Sequence, residues 1–230
     1  MRKSEEERLA KIEHLLQTEY GLSRHGNVRD GFWELVYILF SIRTSERCYR
    51  PAFKAFRNRF RTLSRVANAK VSDVARFMRP LGLSNLRAKQ LITIARTIED
   101  DYGSARFNRL GKSEPEQMES YLRSFHGIGA KVAKCVTMYA YDADSLPVDT
   151  HVWRVLSRLG YAPGGRLSEQ KALELEERIP ANLRYALHVL SVSHGRTVCR
   201  SKPLCDSCVL AKLCPSRKKA SRDNLAHALR

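Results

Sequence analysis

Apolar residues recur every three or four positions along almost the whole chain, which is the period of an amphipathic α-helix. Alternation of apolar and polar residues, which is typical of β-strands, is hardly present. The sequence therefore predicts an all-α protein. The predicted helices cover residues 4–19, 30–46, 51–61, 72–79, 85–101, 114–124, 129–141, 150–159, 168–178 and 181–193.

The composition indicates a cationic protein with a core. The 230 residues include 41 Lys and Arg against 24 Asp and Glu, which gives a net charge of +17, and 43% of them are hydrophobic. The longest apolar run is far shorter than the ~20 residues of a membrane-spanning helix, and the first residues lack the apolar stretch of a signal peptide. We therefore expect an intracellular protein that is not bound to a membrane, with nucleic acid as its first candidate partner.

A turn rich in glycine separates two predicted helices at Gly127, Ile128 and Gly129. The two glycines allow a sharp turn and leave backbone N–H groups uncovered at the start of the next helix. Such groups bind a phosphate without reading base sequence. The alternative is an ordinary helix–helix turn with a glycine cap. The following Lys131 and the high net charge favour the DNA contact.

Lys131 lies in the first turn of the helix that follows this hairpin. The positive end of the helix dipole disfavours a further positive charge there and so favours the free amine. A neutral lysine can attack an electrophilic sugar carbon and form a Schiff base. It can equally be a cation that binds phosphate, and the local sequence does not separate the two roles.

Asp149 follows the short apolar segment 146–148 and immediately precedes a predicted helix. The simplest interpretation is a helix N-cap. A catalytic role is compatible with capping, since a carboxylate that accepts helix N–H groups is held as an anion. That anion could stabilise positive charge that develops on a sugar.

Four cysteines lie within one short segment near the end of the chain. This density predicts a shared metal centre, with zinc or iron–sulfur both open. One tight pair flanked by two wider gaps suits a larger cluster better than a zinc ribbon. Cys48 and Cys135 fall in apolar helical patterns and are expected to be buried thiols. The candidate metal ligands are Cys199, Cys205, Cys208 and Cys214.

The predicted helix after Pro51 carries a basic stripe beside an apolar one. Its phenylalanines, at positions 53, 56 and 60, follow the helical period and predict a packed face. The stripe is either a solvated surface or a face that contacts phosphates. Its cations are Arg50, Lys54, Arg57, Arg61 and Arg65.

The motifs at 125–131 and 148–151, followed by the cysteine loop, resemble the endonuclease III family in residues and order. These are helix-hairpin-helix DNA glycosylases with a [4Fe–4S] cluster. The resemblance covers residues 28 to 215. It implies that Lys131 is the nucleophile and that Asp149, eighteen residues later, is the second catalytic group. It also implies that the four cysteines hold the cluster.

The resemblance further implies a two-domain helix-hairpin-helix glycosylase fold. A six-helix barrel with the hairpin would occupy 28–144. A discontinuous iron–sulfur domain, ending in a basic C-terminal tail, would be formed by 1–27 and 145–230. No heptad pattern or large apolar stripe indicates an oligomer, so we expect a monomer.

The implied function is a base-excision-repair glycosylase with AP lyase activity on oxidised pyrimidines in double-stranded DNA. By position, Arg43 and Leu83 would fill the gap left by the flipped nucleotide, and Arg200 and Lys202 would contact phosphates. Arg43 stands where the family commonly has glutamine, so the substrate is less defined than the chemistry. The alternatives are a mismatch or uracil/thymine glycosylase and a non-catalytic DNA-binding module.

Overall fold

The computed structural model describes residues 3–103 and 114–217, and within these ranges the chain is helical without a β-strand. The all-α prediction is confirmed. The predicted basic tail, at Lys218, Lys219 and Arg222, lies outside the described residues. The helices are α1 (Lys3–Tyr20), α2 (Gly31–Ser41), α3 (Glu46–Phe60), α4 (Leu63–Ala67), α5 (Val71–Met78), α6 (Ser84–Tyr102), α7 (Pro115–Arg123), α8 (Ala130–Tyr141), α9 (Thr150–Arg158), α10 (Glu169–Arg178) and α11 (Ala181–Thr197).

The chain divides into two compact units. One is formed by residues 27–143 and is called the central unit below; the other is formed by residues 1–26 and 144–230 and is called the terminal unit. In the terminal unit, Leu9, Ile12 and Leu16 of α1 follow the helical period and are fully buried. They belong to one core with residues of α9, α10 and α11. Helix α11 packs on both α1 and α9.

The central unit is organised around α2, in which every residue from Gly31 to Phe40 is buried. A helix that is apolar on all sides has to be covered on several sides. Helices α3 and α8 both pack against it. Phe53 and Phe56 of α3 meet Trp33 of α2 edge to face, with ring centroids 6.4 and 6.2 Å apart. The packed face predicted for α3 is therefore present.

The boundary between α2 and α3 differs from the sequence prediction. The helix predicted for 30–46 ends at Ser41, and α3 begins at Glu46 rather than after Pro51. The sequence pattern places Pro51 at a helix start, but it lies inside α3, which begins after the N-cap Ser45 and continues through the proline. Helix α4 was not predicted, because five residues are too short to show a period.

The two cysteines outside the metal segment differ from each other. Cys135 is buried as expected, but Cys48 is exposed, so its predicted burial is wrong. Cys48 lies in the first turn of α3, and the Ser45 hydroxyl donates to its Sγ at 3.2 Å.

Among the described residues, no helix has the length and apolarity needed to cross a bilayer.

Candidate functional site

The hairpin between α7 and α8 is a rigid turn held from α6. Gly127 has φ +80°, and a Cβ there would lie 2.5 Å from Gln90 Nε2. That amide donates to the His126 carbonyl at 2.7 Å. Ile128 is buried, and its N–H donates to Phe125 O at 3.0 Å. Ile128 therefore anchors the turn from inside, and the glycines form its outer surface. The hairpin glycines were predicted, whereas the Gln90 brace from α6 was not.

The start of α8 is open to solvent. Gly129 is its N-cap, with φ −91°, and nothing lies within 4 Å of the position of a Cβ there. The first N–H groups of a helix have no acceptor within the helix, and the helix dipole is positive at this end. The hairpin can therefore receive a phosphate oxygen at this point.

Lys131 is the second residue of α8, and its side chain is exposed at this open end. One turn later, Lys134 is less exposed and forms an ion pair with Glu119, with 3.1 Å between Nζ and Oε2. The two lysines of α8 therefore differ in environment. Lys134 links α8 to α7, whereas Lys131 is exposed beside the open hairpin.

Replacing Gly127 with alanine is expected to destabilise the hairpin by about 1–3 kcal/mol, because a side chain at positive φ is strained and because the Gln90 brace would be displaced. The melting temperature should fall by about 2–4 °C per kcal/mol. Gly129→Ala is the comparison variant, with ordinary φ and open space; because alanine is a poorer N-cap than glycine, it should cost about 0.5–1 kcal/mol, less than Gly127→Ala. Equal melting temperatures for the two variants would contradict this description of the turn.

Two loops of the central unit hold non-glycine residues in the left-handed region. Arg43 follows α2 and Leu83 precedes α6, and each has φ +51°. This conformation costs on the order of 1–3 kcal/mol and concentrates at functional positions. The Leu83 side chain is 73% exposed, the most exposed large apolar group among the described residues. The two loops predicted to fill the DNA gap therefore each hold an exposed residue in a strained conformation.

Arg87 joins these two loops and was not predicted. From the first turn of α6, its guanidinium donates to Leu39 O at 3.2 Å and to Ile42 O at 3.0 Å. These carbonyls are at the C-terminal end of α2, where a helix leaves acceptors without partners. Burial lowers the pKa of Arg87 from its usual value. Arg87 therefore fixes the start of the Arg43 loop to the helix that carries Leu83.

In the terminal unit, Asp149 is the N-cap of α9, as the simplest interpretation of the sequence predicts. Its Oδ1 accepts from the N–H groups of His151 and Val152, at 2.8 Å each. The side chain is half-buried. Both cap bonds use Oδ1, and a carboxylate that caps a helix keeps its charge, so capping is compatible with a second role.

The segment before Asp149 is fixed by two buried polar side chains. Leu146 N–H donates to Glu176 Oε1 at 2.7 Å, and His188 Nδ1 lies 2.7 Å from Pro147 O. Both side chains are more than 90% buried. Neither Glu176 nor His188 was predicted, because a polar residue on a helix shows no sign in sequence of the distant backbone that it supports. The position of Asp149 is therefore fixed by these two contacts to the segment before it and by the cap bonds to α9 after it.

The four cysteines of the predicted metal segment line one cavity of about 670 Å³ in the terminal unit. Burial raises the pKa of Cys208, and the charges of the other three thiolates raise it further. Burial is also the largest cause that raises the pKa of Cys205, and the charges of Cys214 and Cys199 raise it further. The thiols are therefore near enough to interact electrostatically. No three Cys, His, Asp or Glu side chains of the described residues form a group that could hold a single metal ion.

Two arginines of α9 hold the cysteine loop. Arg158 Nη1 donates to Cys199 Sγ at 3.2 Å and to Arg200 O at 2.6 Å. Arg154 donates to Cys199 O at 2.8 Å. Arg200 and Lys202, the predicted phosphate contacts of this loop, are both exposed.

A buried histidine contacts the cysteine cavity from α11. His194 Nε2 lies 3.5 Å from Cys208 Sγ, and its Nδ1 lies 2.9 Å from the Tyr20 hydroxyl. Burial lowers the pKa of His194 to about 4, so the ring is neutral near pH 7. The Thr197 hydroxyl donates to the Tyr20 oxygen at 3.3 Å. Tyr20 can therefore donate to Nδ1, which leaves Nε2–H to face the cysteine sulfur.

A glycine hairpin that precedes a helix with an exposed lysine, within an all-helical fold, defines a helix-hairpin-helix architecture. Residues 38–181 match the family described as "HhH-GPD superfamily base excision DNA repair protein". The chain belongs to this family.

The endonuclease III resemblance is confirmed by comparisons with individual proteins. Endonuclease III of Sulfolobus acidocaldarius is 26% identical over 192 residues, which cover 82% of this chain and 83% of that protein. The Thermotoga maritima enzyme is 28% identical over 192 residues, covering 83% and 85%. A solved non-covalent endonuclease III–DNA complex has the same fold, with TM-score 0.80, 21% identity, and coverage of 94% of this chain and 98% of that one.

Proposed function

We propose that this DNA glycosylase is bifunctional: it removes damaged, oxidised pyrimidines from duplex DNA and then cleaves the strand as an AP lyase. The observation that carries the proposal is the exposed Lys131 in the first turn of α8, beside the open hairpin. A mismatch or uracil/thymine glycosylase that only releases the base has no need of an amine at that position.

The proposed chemistry uses the Lys131 amine as a nucleophile. Its Nζ bonds to C1′ of the flipped nucleotide while the bond from C1′ to the base breaks, and the base leaves with the electron pair and takes up a proton. The C1′–O4′ bond of the sugar then breaks and O4′ takes up a proton that Nζ loses, which gives a Schiff base between Nζ and C1′. Loss of a proton from C2′ then breaks the C3′–O3′ bond and cuts the strand 3′ to the lesion. The positive end of the α8 dipole favours the neutral amine that starts this sequence.

In the same proposal, the Asp149 carboxylate acts on the same sugar. The leaving base makes C1′ electron-poor, and a fixed anion stabilises this charge more in the transition state than in the ground state. Its Oδ1 is held by the α9 amides, so the carboxylate is fixed in position for this role. The same carboxylate can assist the proton transfers that follow.

DNA would be held by groups that contact the backbone. The hairpin amides at Gly127 and Gly129 and the cations Arg200 and Lys202 are proposed to bind phosphates, which gives affinity without sequence preference. Arg43 and Leu83 are proposed to enter the duplex where the nucleotide has been flipped out. Their strained and exposed conformations support this role.

Leu83→Ala is expected to slow base release by roughly tenfold or more in single-turnover assays, because the wedge stabilises the unstacked step. The folded protein should be as stable as the wild type, since the side chain is mostly in solvent. Leu86→Ala is the matched control: Leu86 is 64% exposed, in the same helical turn, and outside the strained loop. Fluorescence of 2-aminopurine opposite the lesion measures the flipping. Equal losses in both variants would remove the wedge assignment.

We propose that the cysteine loop holds a [4Fe–4S] cluster. Four thiols around a cavity, without a close group of three ligands, suit a cluster better than one tetrahedral zinc ion, whose ligands converge at about 2.3 Å. Cys199, Cys205, Cys208 and Cys214 would be the ligands. A bound cluster would supply structural cross-linking of the loop that presents Arg200 and Lys202.

Protein purified without oxygen is expected to be brown, with broad visible absorbance and about four iron atoms per chain. Cys208→Ser should lose this absorbance and bind undamaged DNA more weakly, because the loop is no longer fixed. Cys48→Ser is the matched control, since Cys48 is an exposed thiol elsewhere, and should retain both properties. A colourless wild-type protein loaded with zinc would contradict the cluster.

A single-turnover lesion panel tests the function as a whole. Duplexes that contain thymine glycol, a G·T mismatch, a G·U mismatch or an abasic site are compared with undamaged DNA, and base release and strand cleavage are measured separately. We expect base release with cleavage on thymine glycol and cleavage on the abasic site. Release from mismatches alone without cleavage would identify a mismatch glycosylase. Binding without any reaction would identify a non-catalytic module.

A further inference from the structure

Helix α3 presents a basic face that the reaction proposed above does not use. Lys54, Arg57 and Arg61 lie at helical spacing and are exposed, whereas the opposite side of the helix is buried through its phenylalanines. Arg65, in the middle of α4, is a further exposed cation that follows shortly after in the chain. These four cations are called the α3 basic face below. The distance along the α3 axis from Lys54 to Arg61 is about 10 Å, at 1.5 Å per residue.

The α3 basic face has no counter-charge within the described residues. Among these residues, none of its four cations is within salt-bridge distance of a carboxylate. The neighbouring Arg50, in contrast, pairs with Glu46 at 3.2 Å. Like charges at a spacing of three and four residues repel each other. A bound polyanion would reduce the repulsion among these cations, as acidic neighbours would.

The face also contains a shallow cleft whose cations are held in place. Its volume is about 400 Å³, and Arg57 lies over the Trp33 ring at 5.6 Å from the centroid. Arg61 has φ +58°, and its Nε donates to Asn58 O at 3.2 Å. Each of these two guanidinium groups thus has one contact within the protein that restricts it, which lowers the entropy lost when it binds an anion. The cleft is lined by Trp33, Phe53, Lys54, Arg57, Asn58 and Arg61.

A protein partner fits this surface poorly. Specific protein interfaces have an apolar centre, and none of the large exposed apolar side chains among the described residues lies on α3 or α4. Those side chains are Leu22, Leu83, Leu86, Leu173, Leu204 and Val209.

We propose that the α3 basic face binds the sugar–phosphate backbone of a second DNA segment while the hairpin is engaged with the lesion-containing duplex. The cations would contact successive phosphates and release counterions, without base contacts. Fixed arginines suit phosphate geometry better than flexible lysines alone. Holding two segments would allow the protein to pass from one stretch of DNA to another during its search.

The test uses full-length protein and two duplexes. An unlabelled duplex with a tetrahydrofuran abasic analogue, which cannot be eliminated, first saturates the lesion site. A short fluorescein-labelled undamaged duplex is then titrated, and its anisotropy is followed over a range of salt concentrations. Wild-type protein should bind the second duplex. The triple variant K54E/R57E/R61E should bind it at least roughly tenfold more weakly, with a slope of log K against log salt shallower by about 2.7.

The matched control reverses three exposed cations of the terminal unit, K11E/R166E/R178E, which gives the same change in net charge. It should still bind the second duplex within about twofold of wild type, and both triple variants should keep wild-type affinity for the tetrahydrofuran duplex. Failure of wild-type protein to bind the second duplex overturns the proposal. Equal losses of affinity for the second duplex in both triple variants would also overturn it. A loss of affinity for the tetrahydrofuran duplex that is confined to the α3 variant would do the same. The lesion panel tests the catalytic proposal independently of these results.

Discussion

Lys131→Ala is expected to abolish strand cleavage at an abasic site and to lower the single-turnover rate of base release on thymine glycol by about a thousandfold or more. The substitution removes the group that forms the covalent bond, and no other step supplies an equivalent nucleophile. Stability should change by only about 0.5 kcal/mol or less, because the side chain is exposed. Denaturing gels measure cleavage, and thermal unfolding checks the fold.

Lys134→Ala is the matched control for this experiment. It removes a lysine from the same helix, but one whose amine pairs with Glu119. It should retain base release and strand cleavage, with a small loss of stability from the broken link between α7 and α8. Strand cleavage by Lys131→Ala at the wild-type rate would return Lys131 to the role of a cation that binds phosphate.

Asp149→Asn is expected to fold normally and to lower base release by at least about a hundredfold. Asparagine is as good an N-cap as aspartate, and its side-chain oxygen can accept from the same amides of His151 and Val152. The charge that stabilises the developing positive sugar is lost, and electrostatic groups of this kind are worth about 10²–10³ in rate. This substitution therefore removes the charge of Asp149 and keeps its helix cap, so the two roles can be measured separately.

Asp149→Ala completes the comparison. It removes both the charge and the cap, so its activity should resemble that of the asparagine variant, while its stability falls by about a further 1 kcal/mol. Thermal unfolding measures the difference between the two variants. Near-normal base release by Asp149→Asn would mean that the carboxylate serves only as a helix cap.

The sequence predicted best what local chemistry determines. Helix periodicity located ten of the helices, and the glycines of the hairpin and the N-cap role of Asp149 follow from short motifs whose meaning does not depend on distant residues. The positions of Arg43 and Leu83 came from the family resemblance. Their left-handed conformations could not be predicted, because neither residue type favours positive φ.

The supports of the site could not be predicted, because they join residues far apart in the chain. Gln90 reaches the hairpin across 36 positions, and Glu176 reaches Leu146 across 30. Arg87 contacts the end of α2 across more than 40. Each of these side chains is an ordinary polar residue on a helix when considered alone. Their effect comes from burial and direction, which only the folded chain determines.

The end of α2 shows a further limit. The helix predicted for 30–46 stops at Ser41, whose hydroxyl donates to Ile38 O at 2.7 Å. From α6, Arg87 donates to the carbonyls of Leu39 and Ile42 at this end. The distant Arg87 contact is invisible in the local sequence, so the predicted helix was too long.

The most direct measurement is borohydride trapping on an abasic duplex, followed by mass spectrometry of the digested protein. Reduction converts a Schiff base into a stable amine, so wild-type protein should give a cross-linked species with the sugar remnant on the peptide that contains Lys131. Lys131→Ala should give none. Absence of an adduct with wild-type protein, or an adduct that maps to another amine and persists in Lys131→Ala, would contradict the assignment of Lys131 as the nucleophile.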